Sequence, residues 1–385
     1  MRNLFYFGLE PLKERYTYQL SNEWMPLSFK KYKHKMNFVN IEGYYINNNN
    51  RINKGVVLDA TGRGKWSLNQ CQNFLQLIER GLVKDNDIIF LQDFFTMGMD
   101  SVWYALDLYG IRIKAYSMLH SQSVDEYDFT YDMRHWIRGY ELGLDARMNG
   151  IFVGSTIHKE QLRAANFKAP IHVMSLPIHF EKVIQYGTEI NKKENTVIFT
   201  SRFDKEKNPY FMIEVADYFL SRNKDWNWVV TTSSKEIKSN LVGVPQTLSD
   251  YAEDEPRFIL KSDLSKREYY NELQKSKIQF NSSLQDYVSW TLLESTIFGN
   301  DIVYPNFRCF PEIIEQDRLY KAFDVMDAVN VIENAIKKPR DHYHIPIRSN
   351  IGRQAEAFIV ANDVDVELNI WHEYELIKKL INEDN

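Results

Sequence analysis

Short apolar runs that alternate with helix-spaced segments constrain this chain more than any other feature. Val56–Leu58, Ile88–Leu91, Ile111–Ser117 and Gly150–Gly154 are brief runs bounded by turn residues. Between the first two, Asn69–Arg80 places Cys71, Phe74, Leu75 and Ile78 at helical spacing. The chain opens on Asn3–Gly8, an expected buried strand ending in a glycine turn, and a helix is expected over Tyr16–Trp24. Strands separated by helices form parallel βαβ units with right-handed crossovers.

The same alternation restarts at Thr196–Thr200, after a polar stretch, Tyr186–Asn195, that carries Lys192, Lys193 and Glu194. A helix is expected over Pro209–Leu220, and strands over Trp228–Thr231 and Phe258–Leu260. A helix over Lys266–Lys275, a strand over Ile278–Phe280, a helix over Thr291–Phe298 and a strand over Ile302–Tyr304 follow. Two helical patterns, Arg353–Ala361 and Val366–Ile381, close the chain. A length of 385 residues fits two domains. The reading is α/β, with two doubly wound Rossmann-like domains facing a central cleft. Residues 1–187 form one domain and 188–365 the other, with 366–385 a terminal helix packing back on the first. Ligands of such sheets bind beyond the carboxyl ends of the strands.

Composition narrows the setting. Cys71 and Cys309 are the sole cysteines, too few and too far apart for a disulfide framework or a paired metal site. No basic-then-apolar leader and no long apolar run occurs, so the expectation is a cytoplasmic protein without membrane insertion. The net charge of −5 is unevenly spread, because residues 1–70 hold 11 Lys and Arg against 5 Asp and Glu. Lys30, Lys31, Lys33, Lys35, Arg51, Lys54, Arg63 and Lys65 carry that basic excess, which marks either a polyanion patch or a solvated face.

Two segments carry chemistry. Thr200–Pro209 runs from a strand into a helix, with Arg202 and Lys207 five residues apart in the turn. Fixed cations beside a helix N-terminus are what a diphosphate requires. Asp286–Glu294 leaves the strand exit Phe280–Ser283 and enters a helix. Asp286 is expected in the loop and Glu294 about one turn into the helix, where a carboxylate can accept ribose hydroxyls. Ser289, Trp290 and Thr291 at the helix start would offer N–H groups to phosphate.

This pairing resembles the retaining GT-B glycosyltransferases that carry an E-x7-E signature. The likeness covers residues 195–315: the Arg202/Lys207 spacing, Asp286 and Glu294 in the places of the two acids, Leu292–Gly299, and the Pro311-Glu312 turn. It implies a nucleotide-sugar donor, with a UDP-sugar expected, and no required cofactor or metal. It implies that Arg202 and Lys207 hold the diphosphate, Glu294 the ribose, and that Asp286 faces the transferred sugar. Ser289 replaces the usual glycine after the first acid, and Arg308-Cys309-Phe310 replaces a glycine pair before the Pro-Glu turn.

The first half resembles that family less. His120 follows the strand Ile111–Ser117, so it should stand at the cleft, and in related enzymes such a histidine touches the donor sugar. Asp125, Glu126 and Asp128 nearby read as solvated loop acids rather than a metal site. Glu10, the glycine-rich turn Asp59–Lys65 and Gln92-Asp93 stand where an acceptor would enter; the turn lacks P-loop spacing. Tyr6–Leu20 looks like glycosyltransferases carried by tailed bacteriophages, which implies a hydroxymethylated pyrimidine in DNA as acceptor. A cell-envelope glycan or tRNA as acceptor, and a nucleotide-sugar-binding protein or epimerase without transferase activity, are the alternatives.

Overall fold

The computed structural model describes residues 1–10, 16–29, 36–44, 60–174, 178–187 and 192–340. The basic residues Lys30 to Lys54 named above, the run Val56–Leu58 and both terminal helical patterns lie outside the described residues.

Two six-stranded sheets carry the fold. The first contains β1 (Arg2–Phe7), β2 (Met36–Asn40), β3 (Ile88–Leu91), β4 (Lys114–Met118), β5 (Gly150–Val153) and β6 (Ile171–Val173), in the order β2-β1-β3-β4-β5-β6. The second contains β7 (Glu194–Phe199), β8 (Asn227–Thr231), β9 (Phe258–Lys261), β10 (Ser276–Phe280), β11 (Asp301–Pro305) and β12 (Leu319–Tyr320), in the order β12-β11-β10-β7-β8-β9. Every pairing is parallel. Parallel strands covered on both faces are near-continuous apolar runs, and β3 and β5 are buried at every residue.

Strand order reverses between β1 and β3 in the first sheet and between β7 and β10 in the second. A crevice opens at such switch points, because the crossovers on either side run to opposite faces. The loops leaving those four strands hold Glu10, Asp93, Arg202 and Asp286.

Several elements differ from the sequence expectation. The helix expected from Asn69 begins at Ala60, so Gly62, Arg63, Gly64 and Lys65 are helical rather than a turn. Tertiary anchors outweigh the helix penalty of two glycines: Trp66 Nε1 and Gln70 Nε2 donate to the Gly8 carbonyl at 3.0 and 2.9 Å. Gly43 yields to the same helix, since a Cβ there would sit 2.5 Å from the Trp66 ring. The segment expected as one helix over Tyr16–Trp24 is α-helical at Tyr16–Tyr18, π-helical at Gln19–Trp24 and α-helical again at Met25–Phe29. Strands β2 and β6 and the helices Met99–Leu108, Arg134–Asp145, Thr156–Ala164, Val244–Asp254 and Val325–Lys337 add to the expected set. No described helix is long and apolar enough to cross a membrane.

Candidate active site

A cavity of about 500 Å³ lies between the two halves, at the carboxyl ends of both sheets. Glu10, Arg63, Asp93 and His120 line it from the first half; Arg202, Lys266, Trp290, Thr291 and Glu294 line it from the second. Lys207, Asp286 and Ser289 do not line it.

The loops after β7 and β10 are clasped together, which explains where their charges point. Ser282 Oγ donates to the Lys207 carbonyl and the Leu284 N–H to the Glu206 carbonyl, each at 2.7 Å. Asn208 takes a left-handed conformation (φ 49°) that turns the chain into the Pro209–Arg222 helix. Lys207, buried by this clasp, places Nζ 2.9 Å from both the Gln285 carbonyl and Asp286 Oδ1. The Arg202 guanidinium is about one-third exposed and paired with Asp204 and Glu206 of its own loop.

Glu294 sits inside the helix Trp290–Ile297 and is buried. Its Oε1 accepts from Lys266 Nζ and from the Tyr270 hydroxyl, both at 2.9 Å, and its Oε2 accepts from the Tyr269 hydroxyl at 2.5 Å. A carboxylate oxygen has two lone pairs, so Oε1 is filled and Oε2 keeps one acceptor position. The site therefore has room for one ligand hydroxyl on Glu294 without rearrangement, where the sequence led to two. Burial and the Glu294 charge both push the Tyr269 and Tyr270 hydroxyls far above the usual phenol range, so they remain donors.

Ser289 precedes the helix as its N-cap without a side-chain cap bond; its Oγ lies 2.8 Å from Thr291 Oγ1. The Trp290 ring stacks on Tyr16 of the first half (4.8 Å, 24°) and leans on Trp24 at 5.7 Å.

On the facing wall, Arg63 is bracketed by Glu10 and Asp93. His120 Nε2 lies 3.0 Å from the Gln92 carbonyl, which can only accept, so Nε2 carries the proton and Nδ1 is the ring atom left for a ligand. Burial lowers the His120 pKa and the Arg63 charge adds to this; Asp93 and the Gln92 bond oppose it.

The acidic cluster after β4 is not solvated as expected. Asp125 and Asp128 are buried and only Glu126 is exposed. Both buried acids reach the second half: Asp125 accepts from Tyr287 and Arg308, Asp128 from Gln285 Nε2 at 3.3 Å. Arg308, in a left-handed turn (φ 53°), thus binds the other half rather than standing in its own loop alone. Burial pushes Asp128 up to about 7 against the bonds from Thr130 and Gln122. The described residues contain no group of His, Cys, Asp and Glu suited to a metal ion.

Three contacts escaped the sequence reading. Glu312 accepts from the Thr156 and Ile157 N–H groups at 2.7 and 2.8 Å, capping a helix of the opposite half. Cys309 Sγ meets the Asp286 carbonyl at 2.8 Å and fixes the loop where the resembling family has glycines. Lys266 has no motif and is identifiable solely by its contact with Glu294.

No protein-family model matches the chain. No curated protein matches it either. Solved structures do. TarM of S. aureus, in complex with fondaparinux, alpha-GlcNAc-glycerol and UDP, superposes with a TM-score of 0.52 at 15% identity, over 83% of this chain and 59% of its own. The chain thus spans about three-fifths of the TarM it matches. A sucrose-phosphate synthase of Thermosynechococcus elongatus gives a TM-score of 0.63 at 11% identity over the whole of both chains. HepE of Anabaena, in complex with UDP and glucose, gives 0.58 at 11% identity over the whole of both. Two parallel six-stranded sheets, a cavity between their carboxyl ends and these superpositions together make the fold that of the GT-B glycosyltransferases.

Proposed function

We propose that the protein transfers a sugar from a nucleotide donor, a UDP-sugar, to an acceptor hydroxyl, with residues 188–365 holding the donor and 1–187 the acceptor. The observation that carries this reading is the set of cations and N–H donors on the second wall of the cavity. Arg202, Lys266 and the N-terminal end of the Trp290–Ile297 helix face the space beyond the β7/β10 switch point, where a diphosphate would be stabilised. The UDP complexes of TarM and HepE, on the same fold, support it.

In this reading the bond from the sugar's anomeric carbon to the diphosphate breaks, its electron pair leaving with the phosphate oxygen. The acceptor hydroxyl oxygen forms the new bond to that carbon, and its proton passes to the departing phosphate. Arg202 and the Trp290 and Thr291 N–H groups stabilise the charge that develops there. Lys207 fixes Asp286 in the loop behind the cavity wall, Ser289 shapes that loop, and a role for Asp286 towards the transferred sugar is proposed on its likeness to the first E-x7-E acid alone. His120 meets a sugar hydroxyl through Nδ1, and Glu294 takes one ribose hydroxyl. Attack from the leaving-group face, with retention, is proposed on the likeness of Asp286 and Glu294 to the E-x7-E acids. No metal step is proposed, since the cations of the chain itself meet the phosphate.

The acceptor proposed is a hydroxymethylated pyrimidine of DNA. Its support is the basic excess of residues 1–70 and the phage-like Tyr6–Leu20 phrase. Arg63 contributes nothing to a polyanion patch, being bracketed by Glu10 and Asp93. A panel of radiolabelled nucleotide sugars, with DNA containing hydroxymethylated pyrimidines, tests the whole reading. Label entering DNA and lost in Glu294→Ala supports it. Donor hydrolysis without labelled DNA would retain the donor half and reject the DNA acceptor.

A further inference from the structure

The first-half wall of the cavity holds features that the donor reading does not use. Phe95, Met97, Phe129, Met133, Trp136 and Ile137 form an apolar shelf there. We propose that this shelf is the acceptor's seat, and that it takes a neutral, flat-faced ring bearing a hydroxyl group, stacked on Trp136. The inference rests on the donor reading of the opposite wall.

Seven of the eight tryptophans fall among the described residues, and of these Trp136 alone is exposed, at 50%. Phe129, which lines the same cavity, is 42% exposed. Large apolar side chains left open at the mouth of a cavity mark a binding surface, because a ligand that covers them removes their apolar area from water. Part of the shelf is fixed by its packing. Trp136 and Ile137 share the first turn of the Arg134–Asp145 helix, and Ile137 is buried. The Phe95 ring stacks on Tyr140 (6.5 Å, 25°), whose hydroxyl donates to the Thr96 carbonyl at 3.0 Å, and the Phe95 N–H donates to Asp93 Oδ1 at 3.0 Å. A ring held as Phe95 is loses little freedom when a ligand packs against it.

Charge and hydrogen-bonding capacity set the ligand's polarity. Glu10, Arg63 and Asp93 set two carboxylates against one guanidinium, leaving an anionic excess on this wall. An anionic group is repelled there, whereas a hydroxyl donor is welcome. Thr17 also lines the cavity from the first half and is 6% exposed. A hydroxymethylated pyrimidine and the ring of a neutral sugar share the required chemistry, a stackable face with a hydroxyl at its edge.

Calorimetric titration of the UDP-loaded full chain tests the shelf, using the deoxynucleoside of hydroxymethylcytosine and, separately, methyl glucoside. At least one ring is expected to bind, with a Kd at least about fivefold weaker in Trp136→Ala and largely recovered in Trp136→Phe. Binding of the nucleoside alone identifies the ring as a base; binding of the glucoside alone identifies it as a sugar. If UDP binds and neither ring does, or if Trp136→Ala binds them as tightly as the wild type, the shelf assignment is overturned while the donor reading stands. If UDP itself does not bind, both are overturned.

Discussion

The Tyr287 hydroxyl donates to Asp125 Oδ2 at 2.5 Å, joining residues 162 apart in sequence and on opposite halves of the molecule. The Tyr287 ring lies flat on His158 of the first half (3.7 Å, 15°), and its hydroxyl also accepts from Gln122 Nε2 at 2.7 Å. The backbone is equally close: a Cβ on Gly154 would stand 3.0 Å from the Tyr287 carbonyl. Since Tyr287 directly follows Asp286, the loop that carries the proposed sugar-facing acid is seated on the half that would bind acceptor.

Tyr287→Phe should keep the ring stack and strip the hydroxyl. Asp125 then retains Arg308 but loses its shortest bond, and a buried acceptor left short of a donor costs about 1–3 kcal/mol. Chemical unfolding should register that loss. Transfer should fall more than UDP affinity does, because Asp286 is displaced while Arg202 and Glu294 are not. Unchanged stability would remove the latch role of this contact.

Asp128 gives the same interface a pH dependence. Burial raises its pKa from 3.8 in the unfolded chain to about 7 in the folded one. The native state therefore holds a proton that the unfolded state has released between those values. The contribution of this group is full below pH 3.8 and is lost as pH rises through about 7. Asp128→Asn, which mimics the protonated acid, should flatten the stability difference between pH 5 and pH 8 relative to wild type. Unfolding midpoints at both pH values check it, and an unchanged difference would contradict it.

The fold was legible in the sequence because buried parallel strands are continuous apolar runs, and Ile88–Leu91 or Ile302–Tyr304 can be little else. The positions of Arg202 and Glu294 were legible too, since the strand–loop–helix frames of their motifs fix where they stand. What was not legible depended on long-range contact. Nothing local marks Asp125 and Asp128 as buried; their partners Tyr287, Arg308 and Gln285 lie well over a hundred residues away. Gly62 and Gly64 read as a turn because the anchors that make them helical, Gly8 and Gly43, belong to other segments.

Glu312→Ala tests the contact between the Pro-Glu turn and the first half. Both Glu312 oxygens meet the first free N–H groups of the Thr156–Ala164 helix, where an anion also complements the helix dipole. Ser155 still accepts from the His158 N–H, so the helix is not left uncapped. The expected loss is about 1 kcal/mol, the usual worth of a capping side chain. Glu312→Gln, which keeps an acceptor but not the charge, should fall between the two. Thermal unfolding of the three proteins checks the order.

His120 should act as a neutral imidazole. Burial holds its pKa below 6.5, so at pH 7 the ring is uncharged, with its proton on Nε2 toward Gln92 and the Nδ1 lone pair available to a hydroxyl. Transfer should be level above neutral pH and fall as protonation removes that lone pair in acid. His120→Ala should lose up to about tenfold in kcat, the worth of one net hydrogen bond, and lose the acid limb with it. A kcat profile that keeps the same limb in the variant would assign it to another group.

Arg202→Ala should be the most damaging of the single changes on the second wall. Arg202 is paired with Asp204 and Glu206, so its removal does two things. It deletes a cation that would meet the departing diphosphate, and it leaves two carboxylates unopposed at the edge of the same cavity, where they repel that charge. Transfer should drop at least about tenfold, with UDP affinity falling in parallel because the lost charge interaction exists in the ground state as well. Arg202→Lys keeps the charge but not the fork that spans Asp204 and Glu206, so it should recover only part of the rate. Wild-type turnover in Arg202→Ala, measured by release of UDP, would remove Arg202 from the phosphate site and leave Lys266 and the Trp290 helix terminus as its remaining groups.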